Sequence, residues 1–120
     1  MACVFCNPED VVVENDLAYV VYDKHPVSEG HLLVIPKRHL ASFFETSLEE
    51  RKALLEMLER AREHVIYEHS PQGFNIGINE GRAAGQTVEH LHIHLIPRYD
   101  GDMDDPRGGI RGAIPDKRVY

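Results

Sequence analysis

Apolar and polar residues along this chain follow two periods, one typical of a helix and one typical of strands. The longest helical segment extends from Ser47 to His69, and its apolar residues recur at spacings of four, three and four, which places them on one face. These residues are Leu54, Leu58, Ala61 and Val65. Ser47 and Glu50 form a capping box at its start, because the hydroxyl and the carboxylate can satisfy free amides reciprocally. The pattern predicts one long helix that Pro71 and Gly73 end.

Five other segments have the alternation or the composition of strands, at residues 11–14, 17–23, 31–35, 74–79 and 90–96. The first two flank the turn pair Asn15-Asp16 and predict a hairpin, and Pro36 stops the third. The tail, residues 99–120, is rich in glycine and proline and is predicted to be irregular. Strands around one main helix, with short hairpin links, indicate a single α+β domain over residues 1–120, built on an antiparallel sheet.

Composition narrows the classes of function. The chain has 120 residues and a formal net charge of −7, whereas nucleic-acid binders are normally basic, so we expect no nucleic-acid partner. No apolar run approaches the roughly 18 residues that cross a bilayer, and the first residues show no signal-peptide pattern. We therefore expect a cytoplasmic protein with no membrane partner. In that compartment the two cysteines favour metal binding or redox chemistry over a structural disulfide.

Three histidines alternate with apolar residues in the last predicted strand. Because residues i and i+2 of a strand face the same way, His90, His92 and His94 should form a row about 6.5–7 Å apart, exposed above an apolar floor. Three interpretations fit such a row: surface histidines of a polar face, metal ligands, and covalent catalysis by a neutral imidazole. The loop Gly85-Gln86-Thr87 directly precedes the row and offers amides and a hydroxyl to phosphoryl oxygens, which favours covalent catalysis on a phosphate.

The segment from His90 to Ile96 resembles the His-φ-His-φ-His-φ-φ signature of the histidine triad family of nucleotide hydrolases and transferases, where φ is apolar. Segments 30–39, 79–81 and 85–88 are similar to the family's central strand and to its loop before the triad, so the likeness covers Cys3 to Arg98. The resemblance implies a five-stranded antiparallel sheet with one long and one short helix. It also implies a homodimer in which the sheet continues across the subunits.

The resemblance further implies roles for the three triad histidines. His92 would attack the α-phosphate and become transiently nucleotidylated, His94 would contact the phosphate or the scissile bridge and help the leaving group, and His90 would support the geometry of the row. The third triad position is His94 rather than the Gln of the transferase and phosphorylase branches. This difference favours water as the acceptor.

Substrate contacts are implied in the same way. Gly85, Gln86 and Thr87 would hold phosphate, and Asn79 would lie against the phosphate or the sugar. Asp23 matches the position that hydrogen-bonds the ribose hydroxyls, and its alternative is a turn residue at the end of a strand. His31 would lie near the triad, with its direct role left open.

The spacing Cys3-Val4-Phe5-Cys6 is half of a tetrahedral zinc site, although one such pair alone is also compatible with a redox motif or with no function. Some bacterial members of the family complete the site with two histidines, and the residues at the matching positions are all present here. The resemblance therefore implies a structural zinc held by Cys3, Cys6, His39 and His90, with His92 left free.

Together these features predict a hydrolase of dinucleoside polyphosphates or nucleoside phosphoramidates that needs neither an organic cofactor nor a metal for its chemistry. Two alternatives remain: a metal-dependent hydrolase with the three triad histidines as ligands, and a nucleotide-binding module without turnover. The sequence leaves open the leaving group, and also whether the cations of the tail, Arg107, Arg111, Lys117 and Arg118, meet a polyphosphate or are solvated.

Overall fold

The computed structural model describes residues 3–120, in which it shows five strands, one α-helix and four 3₁₀ turns. The strands are β1 (Val13–Glu14), β2 (Ala18–Tyr22), β3 (Leu32–Pro36), β4 (Gly73–Gly77) and β5 (Ile93–Arg98), and the helix α1 is Leu48–His69. All pairings are antiparallel, and the strand order is β1-β2-β3-β5-β4. This architecture confirms the predicted α+β fold. The predicted domain boundaries, 1–120, stay a prediction, and their first two residues lie outside the described part.

The helix is held where its sequence predicts it. The Ser47 hydroxyl accepts a hydrogen bond from the amide of Glu50 (3.1 Å), and the Glu50 carboxylate accepts one from the amide of Ser47 (2.9 Å), which completes the capping box. Arg38, just after β3, donates to both oxygens of Glu50 at 2.9 and 2.8 Å. The start of α1 is thereby joined to the end of the central strand. No helix within residues 3–120 combines the length and apolar character that crossing a membrane requires.

The sheet has one face under the helix and one face open to a cavity. The helical face carries the main core, in which Leu54, Ala61 and Val65 of α1 pack with the fully buried Leu91 and Leu95. The opposite face carries a smaller apolar cluster, with Phe5 packed against it: Tyr19, Val21, Leu33 and Ile35. Because neighbouring residues of a strand point to opposite faces, β5 directs Ile93 and Leu95 toward the helix and His94 toward the cavity.

Several predicted elements differ from the structure in their bounds. Strand β5 begins at Ile93 rather than at His90, because the amide of Leu91 donates to the carbonyl of Leu40 (2.7 Å) instead of to a neighbouring strand. Strand β4 ends at Gly77, before the predicted Asn79, and the expected short helix is a 3₁₀ turn at Phe43–Glu45. The tail is irregular apart from two 3₁₀ turns.

Stability should depend on pH through the ion pair of Arg38 and Glu50. Hydrogen bonds from Arg38 lower the pKa of Glu50 to about 2, from an ordinary value of 4.5. Because the folded state has the lower pKa, this stabilisation is present above the ordinary value and is lost as pH falls through the lower one. We expect Glu50→Gln to reduce the free energy of unfolding at neutral pH by on the order of 2 kcal/mol.

Urea unfolding of both proteins across the acid range checks this expectation. The difference from the wild type should shrink as pH falls toward the lowered pKa of Glu50. Glu49→Gln, on an exposed neighbour in the same first turn, is the matched control and should change stability little. A deficit of Glu50→Gln that is independent of pH would contradict the ion-pair assignment.

Candidate active site and metal centre

A cavity of about 830 Å³ lies on the open face of the sheet, above β5 and beside the loop that precedes it. Its lining contains most of the site residues that the sequence predicts: Asp23, His31, Asn79, Gly85, Thr87, His92 and His94. Two predicted residues, His90 and Gln86, do not line it. These predicted residues come from the β2–β3 loop, the segment between β4 and β5, and β5 itself.

The hydrogen bond made by Nδ1 of His92 determines the protonation of its other ring nitrogen, Nε2. Its Nδ1 lies 2.9 Å from the carbonyl oxygen of His90, and a carbonyl can only accept, so the proton of the neutral ring is on Nδ1. The Nε2 atom is then unprotonated. A neutral imidazole with a bare nitrogen at a cavity wall has the form that a nucleophile requires.

His94 carries its proton on the other nitrogen, because of His31. The amide of Val27 donates to Nδ1 of His31 (3.1 Å), so His31 is protonated on Nε2. That Nε2–H donates to Nδ1 of His94 at 2.9 Å, which leaves the proton of His94 on Nε2. His31 is 1% exposed and thus acts as a fixed spacer between the backbone and His94. His94 can donate a hydrogen bond while His92 offers a lone pair.

Burial favours the neutral form of His31 and of His94. Removal from water lowers the pKa of His31, and it also lowers the pKa of His94, where the neighbouring His92 and His31 act in the same direction. The Asp23 carboxylate opposes this in part, since its Oδ2 lies 3.5 Å from Nε2 of His31 and 3.9 Å from Nδ1 of His94. Its Oδ1 accepts from the amide of His25 (2.8 Å). Asp23 is therefore a turn residue through one oxygen and faces the cavity histidines through the other.

His90 does not stand in an exposed row with the other two, and in this the prediction was wrong. It is fully buried, and its Nε2 donates to the carbonyl of Pro36 at 2.8 Å. The diversion of the chain at Leu91 toward Leu40 turns the His90 ring away from the cavity. The ring centroids of His92 and His94 remain 5.1 Å apart, so the row has two members.

The Nδ1 atom of His90 faces two thiols instead. It lies 3.4 Å from Sγ of Cys3 and 3.6 Å from Sγ of Cys6, and Cys6 lies 3.2 Å from Nδ1 of His39. All four donor atoms are within 4.8 Å of one another. Zinc bonds of about 2.3 Å to sulfur and 2.0 Å to nitrogen in a tetrahedron separate the donors by about 3.3–3.8 Å, so this set fits zinc. The bond to Pro36 leaves Nδ1 of His90 unprotonated, as a metal ligand must be.

The alternative ligand set of three triad histidines is not brought together. Among residues 3–120, the other cluster of possible ligands is Asp23, His31 and His94. In that cluster the facing nitrogens of His31 and His94 are already joined by a hydrogen bond. Within residues 3–120, the donor set that fits a metal ion is therefore Cys3, Cys6, His39 and His90, beside the cavity.

Gln86 supports the loop rather than the cavity. Its Oε1 accepts from the amide of Gly81 (2.9 Å), and its Nε2 donates to the carbonyls of Ala41 (3.0 Å) and Val88 (3.1 Å). Every polar atom of the side chain is thus used inside the protein, and the expected phosphate contact from this side chain is not supported. Gly85, at φ +91°, adopts a left-handed conformation that L side chains avoid, and it lies at the cavity wall with Thr87.

Sequence reasoning missed three contributors to the site. Phe5 lies between the two cysteines, and its ring centroid is 5.1 Å from that of His92; its place inside the C-x-x-C spacing was the available signal. Ile110 of the tail lines the cavity next to Gly77, and the amide of Val27 fixes His31. The tail cations do not line the cavity; Arg107, for example, pairs with Asp105 at 2.9 Å.

Comparison with known proteins gives a consistent result. Residues 5–101 match the family model described as the HIT domain. An uncharacterized HIT-like protein of Methanocaldococcus jannaschii is 38% identical over 106 residues, which are 83% of this chain and 81% of that protein. An adenosine 5′-monophosphoramidase of Schizosaccharomyces pombe is 35% identical over 104 residues, 82% of this chain and 75% of that protein.

Among solved structures, a zinc-bound histidine triad family protein of Mycobacterium smegmatis is similar with a TM-score of 0.74 and 35% identity. The match covers 84% of this chain and 78% of that one. The sheet and helix described above are therefore shared with proteins of the same family.

The hydrogen bonds of the cavity histidines define a proton arrangement that NMR can check. Nitrogen-15 spectra of the folded protein with neutral imidazole rings should show the proton of His92 on Nδ1 and those of His31 and His94 on Nε2. Because burial lowers the pKa of His31 and His94, both should titrate below their ordinary value of 6.5. The same protein unfolded in urea gives the reference titration. A His94 protonated on Nδ1, or titrating above the reference, would contradict the arrangement.

Proposed function

The chain belongs to the HIT domain family of nucleotide-processing enzymes, and from this premise we propose that it hydrolyses nucleotides at the α-phosphate through a nucleotidyl-histidine intermediate on His92. One observation carries the proposal: the bare Nε2 of His92 and the protonated Nε2 of His94 belong to adjacent rings on one cavity wall. A nucleophile and a hydrogen-bond donor are thus side by side, as displacement at phosphorus requires.

In the first step the lone pair on Nε2 of His92 attacks the α-phosphorus. A phosphorus–nitrogen bond forms, and the bond from phosphorus to the leaving group breaks with its electron pair staying on the leaving group. A phosphate leaves as its anion, and an amine takes up a proton from solvent as it leaves. The ring becomes an imidazolium, and the His90 carbonyl that accepts from its Nδ1–H stabilises the new positive charge. The Nε2–H of His94 would bond to the bridging atom or to a phosphoryl oxygen, which stabilises the negative charge that develops there.

In the second step water attacks the same phosphorus. An oxygen–phosphorus bond forms, the phosphorus–nitrogen bond breaks, and its electron pair returns to Nε2 of His92. A proton of the water passes to solvent, and a nucleoside monophosphate leaves. Neither step needs a metal ion at phosphorus or an organic cofactor.

For the substrate we propose a dinucleoside polyphosphate or a nucleoside phosphoramidate. The similarity to an adenosine 5′-monophosphoramidase supports the second class. Asp23 would accept from the ribose hydroxyls through Oδ2, since its Oδ1 is already bonded to the amide of His25. Asn79, Gly85 and Thr87 line the cavity and would contact the phosphate. His31 acts on the reaction through His94 and is a positioning residue.

The nucleophile assignment is tested by His92→Ala. Wild type and variant are given diadenosine tetraphosphate and an adenosine phosphoramidate, and AMP is measured by chromatography. Loss of the attacking nitrogen should reduce kcat by about 10³-fold or more while the thermal unfolding curve stays close to that of the wild type. His69→Ala, which removes an imidazole from the end of α1 outside the cavity lining, is the matched control.

Each rival function predicts a different result in that experiment. Turnover by His92→Ala close to that of the wild type would refute the nucleophile. A kcat at saturating substrate that falls with chelator and returns with metal would indicate a metal-dependent hydrolase. Tight AMP binding without turnover of either substrate would indicate a nucleotide-binding module.

We also propose that Cys3, Cys6, His39 and His90 hold a structural zinc. The donor distances, the free Nδ1 of His90 and the similarity to a zinc-bound family member support it. When bound, the ion would act as a crosslink between the N-terminus, the segment after β3 and the start of β5.

Elemental analysis should find about one zinc per chain after purification with added zinc and removal of the excess. Cys6→Ser should lose most of it, because one thiolate of four ligands is removed, and His69→Ala should keep it. Well under one zinc per chain in the wild type would contradict the metal centre.

The homodimer stays a prediction. Its support is that β4 lies at the edge of the sheet and that Ile76 on this strand is 46% exposed, so a second copy could continue the ladder and cover an apolar side chain. The cytoplasmic location also stays a prediction.

A further inference from the structure

The N-terminal segment, residues 3–9, forms one wall of the cavity although it belongs to no strand or helix. Five of its residues line the cavity: Val4, Phe5, Asn7, Pro8 and Glu9. In the described part of the segment, one backbone–backbone hydrogen bond is found, from the amide of Cys6 to the carbonyl of Cys3, and none joins it to the sheet. A wall with so few backbone bonds depends on its side chains for its position.

Two groups of side-chain contacts hold this wall. The first is the metal centre, where Cys3 and Cys6 meet His39 and His90. The second is Phe5, whose ring packs on the apolar cluster of the open sheet face and whose carbonyl accepts a hydrogen bond from the Tyr19 hydroxyl. Phe5 lies between the two cysteines, so the contacts at the metal centre and the packing of Phe5 constrain the same turn of the chain.

The ring of Phe5 also lies close to two histidines, His90 of the metal centre and His92 of the cavity wall. Its ring centroid is 5.9 Å from that of His90, a metal-centre residue, with the rings nearly perpendicular, and 5.1 Å from that of His92. One aromatic ring thus contacts a ligand of the metal centre and the ring proposed as nucleophile, while it forms part of the cavity wall.

We propose that metal binding at Cys3, Cys6, His39 and His90 raises the affinity of the cavity for nucleotide, and that Phe5 is the positioning residue that couples the two sites. The inference rests on the proposed nucleotide site. With metal bound, the ligands would fix the turn from Cys3 to Cys6, and Phe5 within this turn would be held against His92. Without it, weak thiol–imidazole hydrogen bonds are all that replace the metal bonds at this end of the wall, so nucleotide binding must also order the segment.

Coupling between two sites is reciprocal, which gives a strict test. Calorimetry measures the Kd of AMP for the zinc-loaded protein and for the reduced, zinc-stripped protein. Competition with a chromophoric chelator measures the Kd of zinc with and without AMP. We expect zinc to tighten AMP binding by about tenfold and AMP to tighten zinc binding by the same factor.

The variant Phe5→Ala tests the route of the coupling. It keeps all four metal ligands, so it should bind one zinc, but both factors should fall to about one and AMP binding should weaken about tenfold in the loaded form. Phe44→Ala is the matched control, because Phe44 is 77% exposed and does not line the cavity, and it should keep the factors of the wild type.

The outcomes separate the failure of this inference from the failure of the proposed function. Equal AMP affinity with and without zinc, in a stripped protein that keeps its circular dichroism spectrum, overturns the coupling alone. Wild-type coupling factors in Phe5→Ala overturn the role of Phe5. No AMP binding to the loaded wild type overturns the proposed function and the inference together. If the zinc-stripped protein unfolds, the test becomes the Kd of AMP for zinc-loaded Phe5→Ala. A Kd equal to that of the zinc-loaded wild type would overturn the inference.

Discussion

Hydrogen bonds between imidazoles and backbone groups fix the tautomers of the histidines in this site, because each bond determines which ring nitrogen carries the proton. The carbonyl of Pro36 leaves Nδ1 of His90 unprotonated, and the carbonyl of His90 leaves Nε2 of His92 unprotonated. The amide of Val27 donates to Nδ1 of His31 instead of accepting, so the proton of His31 is on Nε2. This Nε2–H donates to Nδ1 of His94 and so leaves the proton of His94 on Nε2. His90, His92 and His94 belong to one short segment, yet the ring of each has a different hydrogen-bond partner. A change in backbone position at any of these partners would change the tautomer and with it the role.

The two faces of β5 explain how such a site stays in place. Leu91 and Leu95 are fully buried against α1, so the segment cannot shift by one residue without exposing its apolar floor. The capping box and the ion pair of Arg38 with Glu50 fix the start of that helix relative to β3. The positions of the histidines on the open face are therefore supported by ordinary core packing on the other face.

Segments outside the sheet also line the cavity. The N-terminal segment and the tail residue Ile110 both line it, and neither belongs to a strand. The loop before β5 is braced by Gln86, which bonds to three backbone groups. The core thus positions the cavity histidines, while segments outside the sheet shape the rest of the cavity wall. This division is common where a fixed scaffold carries loops that select ligands.

The sequence by itself determined the features that short-range patterns encode. The helix from its capping box, the β1–β2 hairpin, the alternation of β5 and the histidine triad family could all be predicted, because each depends on residues within a few positions of one another. The set Cys3, Cys6, His39 and His90 was predicted through the family resemblance, and its four donors are close together. Only the tertiary structure decided that His90 turns away from His92 and His94, and that Gln86 braces its loop. It also placed Phe5 against His92, although the two residues are far apart in the sequence. These outcomes depend on contacts between distant segments, such as His90 with Pro36 and Leu91 with Leu40, and no local pattern of residue types specifies which backbone group a buried imidazole will meet.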